Sequence, residues 1–231
     1  MSLKAVFLDF SGVIISDEAI NQELIADLLL KENLRADDDE YMQYCRGRSD
    51  RACLKDILAN RGRMLTDEYL DKLLKAKALG YRQKVEELPE IVFSSTLATF
   101  LTQLKAQNIA IALVTGATRS EVEYILAKIK LASYFDLLVT GDDLSASKPD
   151  PAPYLFALSQ LNLNPQECLA IENNPVGITA AKGAKIQVVG ISNLYPLHML
   201  QRQANWTVDD FLDIELDRVD RVLSDSQPSK T

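Results

Sequence analysis

Five short, nearly continuous apolar runs, separated by helix-length segments, constrain this chain more than any other feature. They are Ala5–Leu8, Ile109–Val114, Leu137–Val139, Leu169–Ile171 and Val188–Ile191. A run that is apolar at successive rather than alternate positions is expected of a strand buried on both faces, as in a parallel sheet. Between the runs lie Ser95–Gln107, Arg119–Lys130, Pro151–Leu161 and Val176–Lys182, which read as helices. This alternation predicts right-handed βαβ crossovers and a doubly wound, Rossmann-like α/β sheet.

Residues 16–87 break the alternation. Their apolar residues recur only at helical spacing: Leu24, Leu28 and Leu29, then Leu54, Ile57 and Leu58, then Leu70, Leu73 and Leu74. The stretch is too long for a loop and predicts a small all-helical domain, inserted after the first strand and ending before Leu88-Pro89. The core then comprises residues 1–15 and 88–223. Residues 224–231, polar with one proline, read as a disordered tail. Asp37–Glu40 reads as a solvated turn or helix start, and Trp206 with Val208 as a last small strand or its packing partner.

With 231 residues and 47% hydrophobic side chains, the chain can bury a full core. A net charge of −8 argues against nucleic acid or an anionic membrane as partner. It leaves open an anionic small molecule, because a few local donors dominate a cleft. No apolar run approaches the roughly 18 residues of a membrane span. The segment MSLKAVFLDF lacks the basic region and cleavage site of a secretory leader and reads directly as a strand. Cys45, Cys53 and Cys168 are odd in number and lack metal-ligand spacing, which predicts reduced thiols and a cytoplasmic setting.

Ligands of open α/β sheets bind beyond the carboxyl ends of the strands, at the topological switch point. There the first strand delivers Asp9, followed by Phe10-Ser11-Gly12, and the second Thr115-Gly116-Ala117. The third leads through Thr140-Gly141-Asp142-Asp143 to Ser147-Lys148-Pro149-Asp150-Pro151, and the fourth ends in Glu172-Asn173-Asn174, with Gly177 beyond. Phosphoryl transfer needs such a set: a carboxylate to attack phosphorus, and a hydroxyl, backbone donors and an ammonium to neutralise the equatorial oxygens. Mg²⁺, which keeps several waters, asks for only two or three protein oxygens. Singly, each piece reads equally as a cap, a turn or a loop lysine. Four in order, each just past a strand, are not explained by capping.

FLDFSGVI, ALVTGA, SKPDPAPY and LAIENNPVGITAAKGA resemble the four motifs of the haloacid dehalogenase superfamily. The resemblance is to the branch of β-phosphoglucomutase and phosphoglycolate-phosphatase-like enzymes. It covers nearly the whole chain, and the insertion resembles that branch's helical cap. It implies Asp9 as nucleophile, with Thr115 and Lys148 on the phosphoryl group and Gly116 and Ala117 beside it. It further implies Mg²⁺ held by Asp9, the Ser11 carbonyl, Glu172 and Asn173. Gly47-Arg48-Ser49 is similar to the cap loop that helps to choose a small phosphorylated metabolite.

The departures matter as much. Phosphatases and mutases of that branch carry an Asp, the general acid and base, where this chain has Ser11, and a serine hydroxyl is far too weak a base at neutral pH. Glu-Asp-Ser is usual where Glu172-Asn173-Asn174 stands here, so one metal-binding charge is missing. Glu18 keeps the pattern, and Asn21 stands where His is frequent. A phosphonatase-like chemistry asks for a cap lysine; none falls within Arg46–Arg51, and Lys55 is the nearest. The expectation is a Mg²⁺-dependent phosphatase slowed by Ser11. Its rivals are an impaired member that binds a phosphorylated metabolite or partner without turnover, and a mutase, disfavoured because position 11 must shuttle a proton. Arg46, Arg48 and Arg51 suit either a substrate anion or surface ion pairs. Asp142 and Asp143 suit loop shaping, and His198 a surface or packing role.

Overall fold

The computed structural model describes residues 2–193 and 195–225. Six strands form one sheet: β1 (Ala5–Leu8), β2 (Ala110–Val114), β3 (Leu137–Val139), β4 (Cys168–Glu172), β5 (Gln187–Ile191) and β6 (Trp206–Val208). Their order is β3-β2-β1-β4-β5-β6, with every neighbouring pair parallel. The chain moves outward from β1 in both directions, so the switch point lies at the carboxyl end of β1. The five anticipated strands are all present, and Trp206–Val208 supplies the sixth.

Alternation along the central strands divides the core in two. Val6, Leu8, Ile111, Leu113, Leu169 and Ile171 face one layer. It is built from α5 (Leu97–Ala106), α6 (Arg119–Lys128) and α10 (Leu216–Asp225). Ala5, Phe7, Ala112, Val114 and Ala170 face the other, against α7 (Ala152–Leu161) and α8 (Pro175–Gly183). The short α9 (Leu197–Leu200) packs beside β5 through Leu200. Helix α10 presents Leu216, Val219 and Leu223 on one stripe. Ser224 and Asp225 therefore belong to a helix rather than to a tail, and residues 226–231 lie outside the described residues.

Between β1 and α5 the chain forms four helices: α1 (Glu18–Lys31), α2 (Asp38–Tyr44), α3 (Asp50–Asn60) and α4 (Asp67–Glu87). Side-chain caps start three of them. Asp37 accepts from the N–H groups of Asp39 and Glu40, Ser49 from that of Ala52 and Thr66 from that of Tyr69. Leu28, Leu29, Leu54, Ile57, Leu70 and Leu74 close a separate apolar cluster of their own.

The expected reduced thiols are corrected here. Cys45, at the end of α2, and Cys53, in the first turn of α3, are joined as a disulfide across a Cα separation of 4.5 Å. The turn through Gly47, with φ of +75°, folds the start of α3 back on the end of α2 and brings the sulfurs together. Cys168 is free and buried. No described helix is long and apolar enough to cross a membrane.

Candidate active site

Asp9 directly follows β1 and is almost wholly buried. Its carboxylate lines a cavity of about 50 Å³ at the switch point, together with Ser11, Thr115, Gly116, Ala117, Asn173 and Asn174. The cavity is roofed from the insertion by Gly47, Arg48, Asp50 and Lys77. Residues far apart in the chain thus meet at one point because each directly follows, or ends, a neighbouring parallel strand.

Lys148 is buried beneath this surface rather than on it. Its ammonium donates to the carbonyl of Val114 at 2.8 Å and to Glu172 Oε1 at 2.6 Å, and lies 3.1 Å from Asp9 Oδ1. Glu172, fully buried, also accepts from the Tyr154 hydroxyl. Two carboxylates therefore share one ammonium. Burial, and next the charge of Asp9, push Glu172 above the ordinary carboxylate range. Burial works against the charge on Lys148, but Asp9 and Glu172 outweigh it and hold its pKa above the usual lysine value. Lys148 stays protonated and fixes the orientation of Asp9.

A chain of three hydrogen bonds runs under the other side of the cavity. The N–H of Gly177 donates to Asn174 Oδ1 at 2.9 Å, Asn174 Nδ2 donates to Asn173 Oδ1 at 2.8 Å, and Asn173 Nδ2 donates to the carbonyl of Ser11 at 3.2 Å. Gly12 admits this approach: a Cβ there would lie 1.8 Å from Asn173 Nδ2, and its φ is +75°. A Mg²⁺ ion at the implied position needs oxygen from both Ser11 and Asn173. Here an N–H faces the Ser11 carbonyl instead; Glu172 Oε1 is engaged by Lys148 and Tyr154, while Glu172 Oε2 is buried without a hydrogen-bond partner. Among the described residues no group of three or more His, Cys, Asp or Glu side chains is arranged to hold a metal. As arranged, the Ser11 carbonyl and the Asn173 oxygen do not converge on a Mg²⁺ ion.

The loop at residues 47–49 sits directly on the core. The Ser49 N–H donates to Ser147 Oγ at 2.6 Å. The three arginines near it are all paired with carboxylates. Arg46 meets Glu18 at 2.8 Å, Arg48 meets Asp56 at 2.6 Å and Arg51 pairs with Asp71. Asp142 and Asp143 hold Arg119 and the Thr140 turn, as loop-shaping residues do. His198 is exposed on α9.

Sequence reasoning missed Lys77. It lies on α4, buried at 1% exposure, with its ammonium 2.8 Å from Asp50, 3.2 Å from Glu121 of α6 and 2.6 Å from Asn21 Oδ1. Burial opposes its charge, but Asp50 and Glu121 raise its pKa above the ordinary value. A lysine held this firmly as a cation is unsuited to a Schiff base, which needs a free amine. Asp17, also missed, is buried behind Ser11 and accepts from the Tyr81 hydroxyl at 2.6 Å. Burial pushes it up to about 6. In the sequence both residues look like ordinary polar positions on helices or at a helix start; only the packing reveals them.

A family model described as haloacid dehalogenase-like hydrolase matches residues 6–191. The chain belongs to the haloacid dehalogenase-like hydrolases. It is therefore a hydrolase by family, with the expected α/β fold. It is 29% identical over 197 residues to a validoxylamine A 7'-phosphate phosphatase of Streptomyces hygroscopicus subsp. limoneus, covering 85% of this chain and 89% of that one. Against a phosphoglycolate phosphatase of Colwellia psychrerythraea the identity is 26%, covering 90% and 93%. The crystal structure of a β-phosphoglucomutase from Clostridium difficile superposes with a TM-score of 0.82 at 22% identity, covering 96% and 98%.

Proposed function

We propose that this haloacid dehalogenase-like hydrolase is a slow phosphatase of small phosphomonoesters that works through an aspartyl phosphate on Asp9. The observation that carries the reading is the position of Asp9. It is the one carboxylate directly after a central strand at the switch point, it opens on the cavity, and Lys148 and Thr115 flank it. Attack by Asp9 on phosphorus displaces the alcohol oxygen, which needs a proton. Ser11 offers a hydrogen bond but no acid, and it cannot then deprotonate water, so both halves of the reaction are slowed. The same lack disfavours a mutase, which must pass a proton to a sugar hydroxyl.

Phosphatases of this family generally use Mg²⁺. When bound, it supplies charge neutralisation on the phosphoryl oxygens. Asp9, the Ser11 carbonyl and the unpartnered Glu172 Oε2 are the oxygens this chain would offer it, and Asn173 would join them only by turning its amide. The four inserted helices are read as a cap over the cleft. A space of about 50 Å³ holds little more than a phosphoryl group or a few waters, so a whole metabolite needs the roof to lift. The cytoplasm is the proposed setting because small phosphorylated metabolites abound there; with Cys45 and Cys53 joined, it no longer draws on reduced thiols.

The test is hydrolysis of p-nitrophenyl phosphate and of a panel of sugar and glycolate phosphates by wild type and Asp9→Asn. Wild type should act on the aryl ester, whose leaving group needs no proton, and more slowly on the alkyl esters. Asp9→Asn should lose both activities. Equal rates in the two proteins would refute the assignment, and no turnover at all would favour an impaired, ligand-binding member.

A further inference from the structure

We propose that the side-chain amide of Asn173 takes the place of the cation, so that this site receives its phosphoryl ligand without Mg²⁺. The proposal deepens the reading of Asp9 as a phosphoryl-binding nucleophile and rests on it. What carries it is the direction of the hydrogen-bond chain from Gly177 to Ser11. An asparagine amide can usually be turned end for end, but this pair is fixed from both ends. The Gly177 backbone N–H only donates, so Asn174 must present Oδ1 to it and Nδ2 to Asn173. The Ser11 carbonyl only accepts, so Asn173 must present Nδ2 to it, leaving Oδ1 for Asn174. Each end alone dictates the same arrangement. Turning Asn173 to offer oxygen to a metal would give up its bond to the Ser11 carbonyl and set its Nδ2 against the Asn174 amide hydrogens. Both asparagines are buried, so water does not restore the lost bonds cheaply.

Lys148 meets Asp9 through Oδ1 and Glu172 through Oε1, and Glu172 Oε2 has no hydrogen-bond partner. An N–H donor beside the Ser11 carbonyl is also a hydrogen-bond donor at the rim of the cavity, suited to a phosphoryl oxygen.

The experiment measures metal binding directly, with no turnover required. Mn²⁺, as a paramagnetic probe, is titrated into wild type and Asn173→Asp and followed by electron paramagnetic resonance. Orthophosphate binding is measured on the same proteins by calorimetry in EDTA and in excess Mg²⁺. Wild type should show no saturable Mn²⁺ site at millimolar concentrations, and Asn173→Asp should bind the ion at least about tenfold more tightly. Orthophosphate affinity of wild type should be the same in EDTA and in Mg²⁺ to within about twofold. A submillimolar Mn²⁺ site in wild type, or an orthophosphate affinity about tenfold higher with Mg²⁺, would overturn the proposal. So would an Asn173→Asp protein, folded by circular dichroism, that binds Mn²⁺ no better than wild type. Failure to bind orthophosphate under either condition would count against the phosphatase reading, while the Mn²⁺ titration would still decide the metal question.

Discussion

On the proposed reading, one side chain, Ser11, separates this site from a fast phosphatase. Ser11 contributes a carbonyl and a hydroxyl where acid–base chemistry asks for a carboxylate, and general acid–base catalysis is worth about 10²–10⁴-fold in rate. Ser11→Asp should therefore raise turnover of alkyl phosphates toward that range and of p-nitrophenyl phosphate much less. Steady-state kinetics on both ester classes checks this, and a wild-type rate on alkyl esters of roughly tens per second would contradict it. Asp17 offers a second check, through pH. Its pKa is pushed from 3.8 up to about 6 by burial, so the folded protein binds the proton more tightly than the unfolded chain. Between those values stability falls as pH rises, and above about 6 the effect is complete. Compared with Asp17→Asn, wild type should gain about 2 kcal/mol between pH 7 and pH 4, read from urea midpoints. Carboxylates away from Asp17 titrate alike in both proteins and cancel in the difference; Asp50, which the Asp17 charge helps to raise, adds in the same direction.

At the scale of elements, the loop between α2 and α3 is tied both to itself and to the core. Its disulfide spans a sequence separation of 8 residues, and Gly47 and Arg48 within it line the cavity while Ser49 bonds to Ser147. Closing a loop of that length removes unfolded-chain entropy worth about 2.5 kcal/mol. Cys45→Ser with Cys53→Ser, or reduction by dithiothreitol, should lower the thermal midpoint by several degrees and increase amide exchange in residues 45–53. Unchanged exchange there would mean that the helices hold the loop without the bond. A further tie is Lys77, which spans from α4 to Glu121 of α6 and buries charge between insertion and core, and Glu86 of α4 also meets Tyr124 and Lys128 of α6.

Across the whole molecule, what the sequence revealed follows from where information is local. Ala5–Leu8 and Leu169–Ile171 are legible because a strand covered on both faces must be apolar at every position. Asp9, Thr115 and Glu172 are legible because strand ends in this topology converge. The disulfide was misjudged because Cys45 and Cys53 look like unrelated helix-end residues until the Gly47 turn brings them together. Lys77 was invisible because an amphipathic helix carries many lysines and only packing decides which one is buried. The direction of the Asn173 and Asn174 amides is likewise a property of partners, not of spacing.

One measurement bears most directly on the account as a whole. If Asp9 attacks phosphorus and Ser11 starves the second step of its base, the phosphoenzyme must accumulate. The protein is incubated with p-nitrophenyl phosphate, quenched in acid, reduced with borohydride and digested, so that an aspartyl phosphate is read by mass spectrometry as homoserine. The account predicts homoserine at position 9 in wild type, less of it in Ser11→Asp, whose second step is faster, and none in Asp9→Asn. Steady turnover by wild type with no homoserine at position 9, or homoserine at another aspartate, would contradict it.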